Sequence, residues 1–219
     1  MPKRTLLSWS SGKDSAWTLH LLRQQPEIEL AGLFCTVNLD FQRVAMHAVR
    51  ADLLRRQAER VGAPLQIISI PHGCTDAQYR EIMGAFVEEA GEREVECMAF
   101  GDLYLESVRR YREENLADTG IKPLFPLWGL PTDQLARTMV AGGLQAYITC
   151  LDPKLLAPEF AGRKYDESFL RDLPESVDPC GENGEFHSFV IDGPMFDTPL
   201  DVHPGEVVHR DGFVFADLL

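Results

Sequence analysis

Two short clusters hold residue types at spacings that can do chemistry. The first is Ser10-Ser11-Gly12-Lys13-Asp14-Ser15, which follows an apolar stretch from Thr5 to Trp9 and opens a helix-like stretch from Ala16 to Gln25. Strand, tight small-residue loop and helix start make an anion site in that order. The first N–H groups of a helix lack intrahelical partners and point outward, and the helix dipole adds partial positive charge. Small residues let the backbone wrap closely around an anion, and the serine hydroxyls and Lys13 ammonium add donors. The second cluster is Cys180-Gly181-Glu182-Asn183-Gly184-Glu185-Phe186-His187. Two glycines frame a turn holding Glu182 and Asn183, and strand alternation then places Glu185 and His187 on one face and Phe186 on the other. Such a set orients a polar substrate or supplies a general base; the structural alternative is a hairpin turn with solvated charges.

The first cluster is not a Walker A loop. That pattern needs Gly five residues before Gly-Lys-Ser/Thr, whereas Leu7 precedes Gly12 by five and Asp14 follows Lys13. The run instead resembles the PP-loop, Ser-Gly-Gly-x-Asp-Ser, of the ATP pyrophosphatases, with Ser11 at the first Gly; Ser also suits a tight turn. The resemblance implies a grip on the β- and γ-phosphates of ATP that leaves the α-phosphate open to a nucleophile, with release of pyrophosphate.

The elements that must position these clusters alternate. Strand signals run over Leu30 to Thr36, Leu65 to Ile70, Glu96 to Phe100 and Lys122 to Phe125. Helical stripes run over Met46 to Val61, Asp76 to Ala90 (stopped by Gly91) and Leu103 to Thr119. Alternation at these lengths predicts a five-stranded parallel sheet flanked by helices, with ligands at the carboxyl ends of the strands. The serine loop and Gly101-Asp102 both fall on that edge. Asp102 is a candidate for magnesium or a ribose, against a plain helix cap. His47 and Arg50 open the second helix, where Arg50 could reach an anion; Arg109 reads as a surface charge.

A second part begins near Pro126. It has a helix from Thr132 to Ala141, a strand from Gln145 to Cys150, a loop-rich stretch over 152–184, a strand from Phe186 to Ile191, and a hairpin turning at Asp211-Gly212. The expected domains are therefore 1–126 and 127–219, the second a smaller α+β unit that takes the substrate.

Composition narrows the function classes. The 219 residues carry 21 Lys and Arg against 34 Asp and Glu, a formal net charge of −13. Residues 1–126 hold 15 basic and 18 acidic side chains, and residues 127–219 hold 6 and 16. An acidic chain is a poor partner for nucleic-acid backbones and better suited to a neutral or cationic substrate. No run of eighteen apolar residues suggests a membrane span. The five cysteines are scattered with no Cys-x-x-Cys, which fits core residues in a reducing cytoplasm; Cys180 and His187 are too few for a zinc site.

With both clusters placed, the chain resembles the diphthine–ammonia ligase family of PP-loop ATP pyrophosphatases, in a bacterial-type branch. The matching stretches are Ser10–Ser15, Met46-His47-Ala48-Val49-Arg50, Phe100-Gly101-Asp102, Leu124-Phe125-Pro126-Leu127-Trp128-Gly129, Cys180–His187 and Gly193-Pro194-Met195-Phe196. The resemblance implies an adenine nucleotide hydrolase-type (HUP) α/β domain followed by a smaller substrate domain. By it, Ser10, Ser11, Gly12, Lys13, Asp14, Ser15, Gly101 and Asp102 bind ATP. His47, Glu182, Asn183, Glu185 and His187 face the substrate. Lys13, Asp14, Glu182 and Glu185 are catalytic, and Asp14 and Asp102 hold Mg2+ through ATP. One departure stands out: diphthamide-making members resemble Gly-Glu-Gly-Gly-Glu-Phe/Tyr-Glu, and this chain has Asn183 and His187 at the second-Gly and last-Glu positions. That form implies a different acceptor.

The expected activity is an ATP-dependent ligase. A substrate carboxylate is adenylated with loss of pyrophosphate, then ammonia or an amine forms an amide. The expected partners are ATP, that carboxylate, the nitrogen donor and a second copy of the chain in a homodimer. The rivals are a sulfur transferase acting on RNA, disfavoured by charge and by the absence of Cys-x-x-Cys, and a non-catalytic ATP-binding module.

Overall fold

The computed structural model describes residues 1–38, 43–44 and 49–219. The expectations for Met46, His47 and Ala48 lie outside the described residues. The first part alternates β1 (Lys3–Ser8), α1 (Lys13–Leu22), β2 (Ile28–Asn38), the short β3 (Arg43–Val44), α2 (Ala51–Arg60), β4 (Leu65–Ile70), α3 (Asp76–Glu92), β5 (Cys97–Ala99), α4 (Glu106–Leu116) and β6 (Lys122–Leu124). Five strands pair in parallel in the order β4-β2-β1-β5-β6, and β3 turns back antiparallel on the end of β2. The chain leaves β1 toward β2 and β4, then returns to β1's other side through β5. The reversal point between β1 and β5 is where such sheets open a crevice. It lies directly under the serine loop.

Alternation along β1 divides the core. Leu6 packs with Phe34, Phe86, Met98 and Phe100 under α3 and α4, while Leu7 points into a core shared with the second part. That part contains α5 (Thr132–Ala141), β7 (Gln145–Leu151), a short 3-10 turn at Pro158–Phe160, α6 (Glu167–Asp172), β8 (Phe186–Asp192), β9 (Pro204–Arg210) and β10 (Phe213–Leu218). Its four strands form an antiparallel sheet in the order β8-β7-β10-β9. The shared core runs from Trp9, Ala16 and Leu19 to Met139, Ile148, Phe189 and Val190, so β8 is held against α1 by continuous apolar packing. Each fully buried large side chain there contributes on the order of 1.5–3 kcal/mol.

Several boundaries differ from the sequence expectation for identifiable reasons. α2 starts at Ala51 because Arg50 is extended (φ −63°, ψ 137°), and its guanidinium pairs with Asp217 of β10. α3 runs through Gly91 and is stopped by the left-handed Glu94. α4 starts at Glu106 because the Leu103 amide is taken by Glu182. The stretch 152–184 lacks long elements yet is anchored in the shared core. Phe160, Tyr165 and Phe169 are buried, with ring centroids 5.4 Å apart for Tyr165–Phe169 and 5.2 Å for Phe169–Phe186. All five cysteines are free thiols.

Candidate functional site

The loop after β1 is built from its backbone. Ser11 adopts a left-handed conformation (φ 67°), and Gly12 is the extended N-cap of α1. Inside the loop, Ser10 and Ser15 hydroxyls lie 3.1 Å apart, Ser15 Oγ donates to the Gly12 carbonyl at 2.9 Å, and the Gly12 amide donates to Ser10 Oγ at 3.3 Å. The Ser11 carbonyl faces inward, accepting from the Val190 amide and from Gln57 Nε2, each at 3.0 Å. Gln57 is fully buried. Its amide also donates to the Val190 carbonyl at 2.6 Å and accepts from Trp9 Nε1 at 3.0 Å, so one side chain locks β1, the loop and β8 together. The Lys13 amide donates to Ser188 Oγ at 3.2 Å. The Asp14 amide is turned to its own carboxylate, and the Ser15 amide meets no acceptor among the described residues, an orphan donor of a helix start.

Gly101 fixes how close the loop after β5 can come. A Cβ there would lie 3.0 Å from the Asp14 carbonyl carbon and 3.1 Å from the Ser15 nitrogen. Only glycine allows this approach without displacing the α1 terminus.

Lys13 turns inward. Its side chain is 3% exposed, and its Nζ meets the Asp14 carboxylate at 2.8 and 3.1 Å and donates to the Cys180 carbonyl. It also lies 5.5 Å from the Phe186 ring centroid and 5.8 Å from that of Tyr165. Burial by itself pushes the Lys13 pKa down. The Asp14, Cys180 and Glu182 groups outweigh that and hold it above its ordinary value, so the ammonium stays charged. Lys13 thereby ties the first cluster to the second.

The second cluster is shaped by its carboxylates. Glu185 is buried; its Oε1 accepts from the Asp178 amide at 3.1 Å and from Asn183 Nδ2 at 2.9 Å, and its Oε2 from the Asn183 amide at 2.9 Å. Asp178 accepts from the Cys180 and Glu182 amides at 3.1 and 3.0 Å and from the Tyr104 hydroxyl at 3.1 Å. Gly181 is left-handed, and a Cβ there would lie 2.8 Å from the Phe186 carbonyl oxygen. Glu182 reaches the other way, with Oε1 accepting from the Leu103 amide at 2.8 Å; burial raises its pKa. Burial, with Lys13 nearby, lowers His187 to about 4, so its ring is neutral at neutral pH.

The clusters wall a polar chamber of about 250 Å³, lined by the loop, Gly101, Asp102, Glu182 and His187. It adjoins a chamber of about 520 Å³ over the sheet between α3 and α4, lined by Phe34, Met83, Val87, Met98, Tyr111 and others. Ser8, Ser10, Phe100, Arg112 and His187 line both.

The structure thus brings Ser10, Gly12, Lys13, Asp14, Ser15, Gly101, Asp102, Glu182 and His187 to one chamber. Ser11, Asn183 and Glu185 are not among its lining residues, and all three shape the loops around it. Arg50 is engaged with Asp217, and Arg109 stacks on Phe125 and Trp128 with its guanidinium 4.9 and 4.8 Å from their centroids. Asp102 pairs with Arg112 Nε at 3.5 Å. Sequence reasoning missed Gln57, Asp178, Ser188 and Arg112. Asp178, two residues before Cys180 in Asp-Pro-Cys-Gly, carries an Asx-turn signal that could have found it; a lone Gln inside a helix gives none.

Fold and site define a class: a doubly wound α/β domain with a serine-rich strand-to-helix loop at its switch point, joined to a smaller antiparallel domain. Residues 3–123 match the model of the diphthamide synthase N-terminal domain, and residues 131–216 match that of the C-terminal domain. The chain belongs to the diphthamide synthase family. It is similar to the diphthine–ammonia ligases of Homo sapiens (31% identical over 192 residues, covering 80% of this chain and 70% of that protein) and Bos taurus (30%, with the same coverage). It is also similar to that of Danio rerio, at 28% over 229 residues, 92% of this chain and 88% of that protein.

Proposed function

We propose that the protein is an ATP-dependent, amide-forming ligase of the diphthine–ammonia ligase type. One observation carries the reading: the polar chamber beneath the serine loop shares a wall of five residues with a larger apolar chamber. Together they suit a heterocycle joined to a polyphosphate. The apolar chamber takes the adenosine. The amino end of α1, with its Ser15 amide, takes the pyrophosphate, aided by the helix dipole. Residues 1–126 then hold the nucleotide, and 127–219 supply the acceptor side.

An acceptor carboxylate attacks the α-phosphorus, the bond to the β-bridging oxygen breaks, and its electron pair leaves with pyrophosphate. Ammonia then attacks the acyl carbon, AMP departs, and a proton passes from nitrogen to a base. Glu182 is the base: it reaches the chamber, and its raised pKa brings it nearer the operating pH. Lys13 holds the two loops in register and adds fixed positive potential. Neutral His187, which lines both chambers, selects the acceptor. Magnesium would arrive on the triphosphate and neutralise its charge. Asp14 and Asp102 each already face a cation, and the described residues contain no group of three metal-ligating side chains. No helix among the described residues is long and apolar enough to cross a membrane, and five free cysteines suit a reducing cytoplasm.

The test uses ATP labelled at the α-phosphate, with magnesium, ammonium and either the small-molecule or the macromolecular fraction of a cell extract. Labelled AMP with one fraction supports the ligase and gives the class of the acceptor. ADP, or binding without turnover, overturns it in favour of a nucleotide-binding module.

A further inference from the structure

A triphosphate on the serine loop with its base in the larger chamber has its α-phosphorus where the chambers meet, because that atom joins nucleoside to polyphosphate. Five residues form the meeting wall: Ser8, Ser10, Phe100, Arg112 and His187. Arg112 is the cation among them. His187 is neutral there at neutral pH, and Lys13 lines only the polar chamber with its ammonium on Asp14 and the Cys180 carbonyl.

Arg112 is held for a task at this point. Its guanidinium lies 4.9 Å from the Phe100 ring centroid, and its Nε is 3.5 Å from Asp102 Oδ2. The stack uses one face of the planar group and the ion pair uses Nε, whereas the fork has five N–H donors. The side chain is 30% exposed and lines both chambers.

We propose that Arg112 is a catalytic residue of the adenylation step, donating to the non-bridging oxygens of the α-phosphate. The assignment rests on the ATP-dependent reading above. As the acceptor carboxylate supplies the electron pair of the new O–P bond, and the pair of the breaking P–O bond moves to pyrophosphate, charge builds on those oxygens. A preoriented guanidinium in a partly desolvated wall stabilises that state more than the ground state. Asp102 is then a positioning residue that sets the angle of the fork.

The experiment measures AMP formation from α-labelled ATP, with magnesium, ammonium and the two extract fractions, alongside ATP binding by calorimetry. Arg112→Ala should lower AMP formation at saturating ATP by about 10²-fold or more, as loss of one preorganised donor does. Its ATP affinity should change much less than its rate. Arg112→Lys, keeping charge but not the fork, should fall between, and added guanidinium should restore part of the alanine variant's rate. Arg110→Ala, an exposed residue on the same helix, should match wild type. An Arg112→Ala variant with wild-type turnover overturns the inference, as does one whose whole loss is recovered by more ATP. Wild-type protein that binds ATP and forms no AMP with either fraction overturns the ligase reading and this inference with it.

Discussion

The loop at Ser10–Ser15 and the loop at Cys180–Glu185 are bound through Lys13, yet they are built in opposite ways. The first is shaped by backbone conformation, with Ser11 left-handed and Gly12 without a side chain, and by short bonds of the Ser10 and Ser15 hydroxyls, and it leaves the Ser15 amide without an acceptor. The second is shaped by carboxylates that satisfy its own amides: Glu185 holds Asp178 and Asn183, and Asp178 holds Cys180 and Glu182. A loop that presents amides offers them to a ligand. A loop that consumes its amides offers whichever side chains remain, here Glu182 and His187. A count of polar residues in a motif therefore overstates its chemical groups, because some are the fold of the motif itself.

Lys13 joins the two loops, so its removal should break the arrangement most. Lys13→Met leaves Asp14 without its cation and the Cys180 carbonyl without its donor. AMP formation should fall about 10²–10³-fold, and stability in chemical unfolding should fall by about 3 kcal/mol, as when one partner of a buried pair is lost. Lost stability with full turnover would mean that Lys13 serves only to fasten the loops.

Next comes the division within the second loop. Glu185→Ala takes the acceptor from the part-buried bonds of the Asp178 and Asn183 amides and should cost about 1–3 kcal/mol in urea unfolding. Glu182→Gln should leave stability within about 1 kcal/mol while lowering turnover about 10²-fold, the size of a general-base contribution. The reverse result, a stable but inactive Glu185→Gln beside an active Glu182→Gln, would exchange the roles.

A smaller effect concerns pH. The folded-state pKa of His187 is about 4, below its ordinary 6.5, so between those values the unfolded chain binds more protons than the folded one. Stability contributed by a neutral His187 is thus present above pH 6.5 and lost as pH falls toward 4. Glu182 works in the opposite sense, since its raised pKa favours the folded form on the acid side. Unfolding midpoints across pH 4–7 should decline toward acid in wild type and flatten in His187→Gln. An unchanged slope would mean that the imidazole meets solvent.

The architecture was legible in the sequence because periodicity carries it. β4 and α5 have the bounds expected, and the alternating order placed both clusters on the strand ends. The serine loop was legible because backbone geometry at a strand-to-helix turn depends on local residue types. The second cluster was legible as a place but not as a set of roles. Whether Glu185 faces a substrate or its own loop depends on Asp178, seven residues earlier, and on folding over Phe186. Gln57 and Arg112 act across 46 residues to Ser11 and 10 residues to Asp102, and no local pattern encodes those meetings.

The smallest effect sharpens the comparison most, because it asks whether the first loop needs any side chain at Ser11. The residue is fully buried at φ 67°, where a Cβ costs on the order of 1–2 kcal/mol. Its hydroxyl donates to the Ser10 carbonyl, a short-range bond contributing about 1 kcal/mol or less. Glycine removes the strain and the bond together and adds freedom to the unfolded chain, about 0.4–1 kcal/mol against folding. These terms nearly cancel, so Ser11→Gly should keep its unfolding midpoint within about 1 kcal/mol of wild type and retain AMP formation. Ser11→Val, β-branched at a left-handed position, should lose about 2–3 kcal/mol. If Ser11→Gly instead kept its stability and lost turnover tenfold or more, the Ser11 hydroxyl would count among the loop's chemical groups, and the first loop would depend on its side chains as the second does.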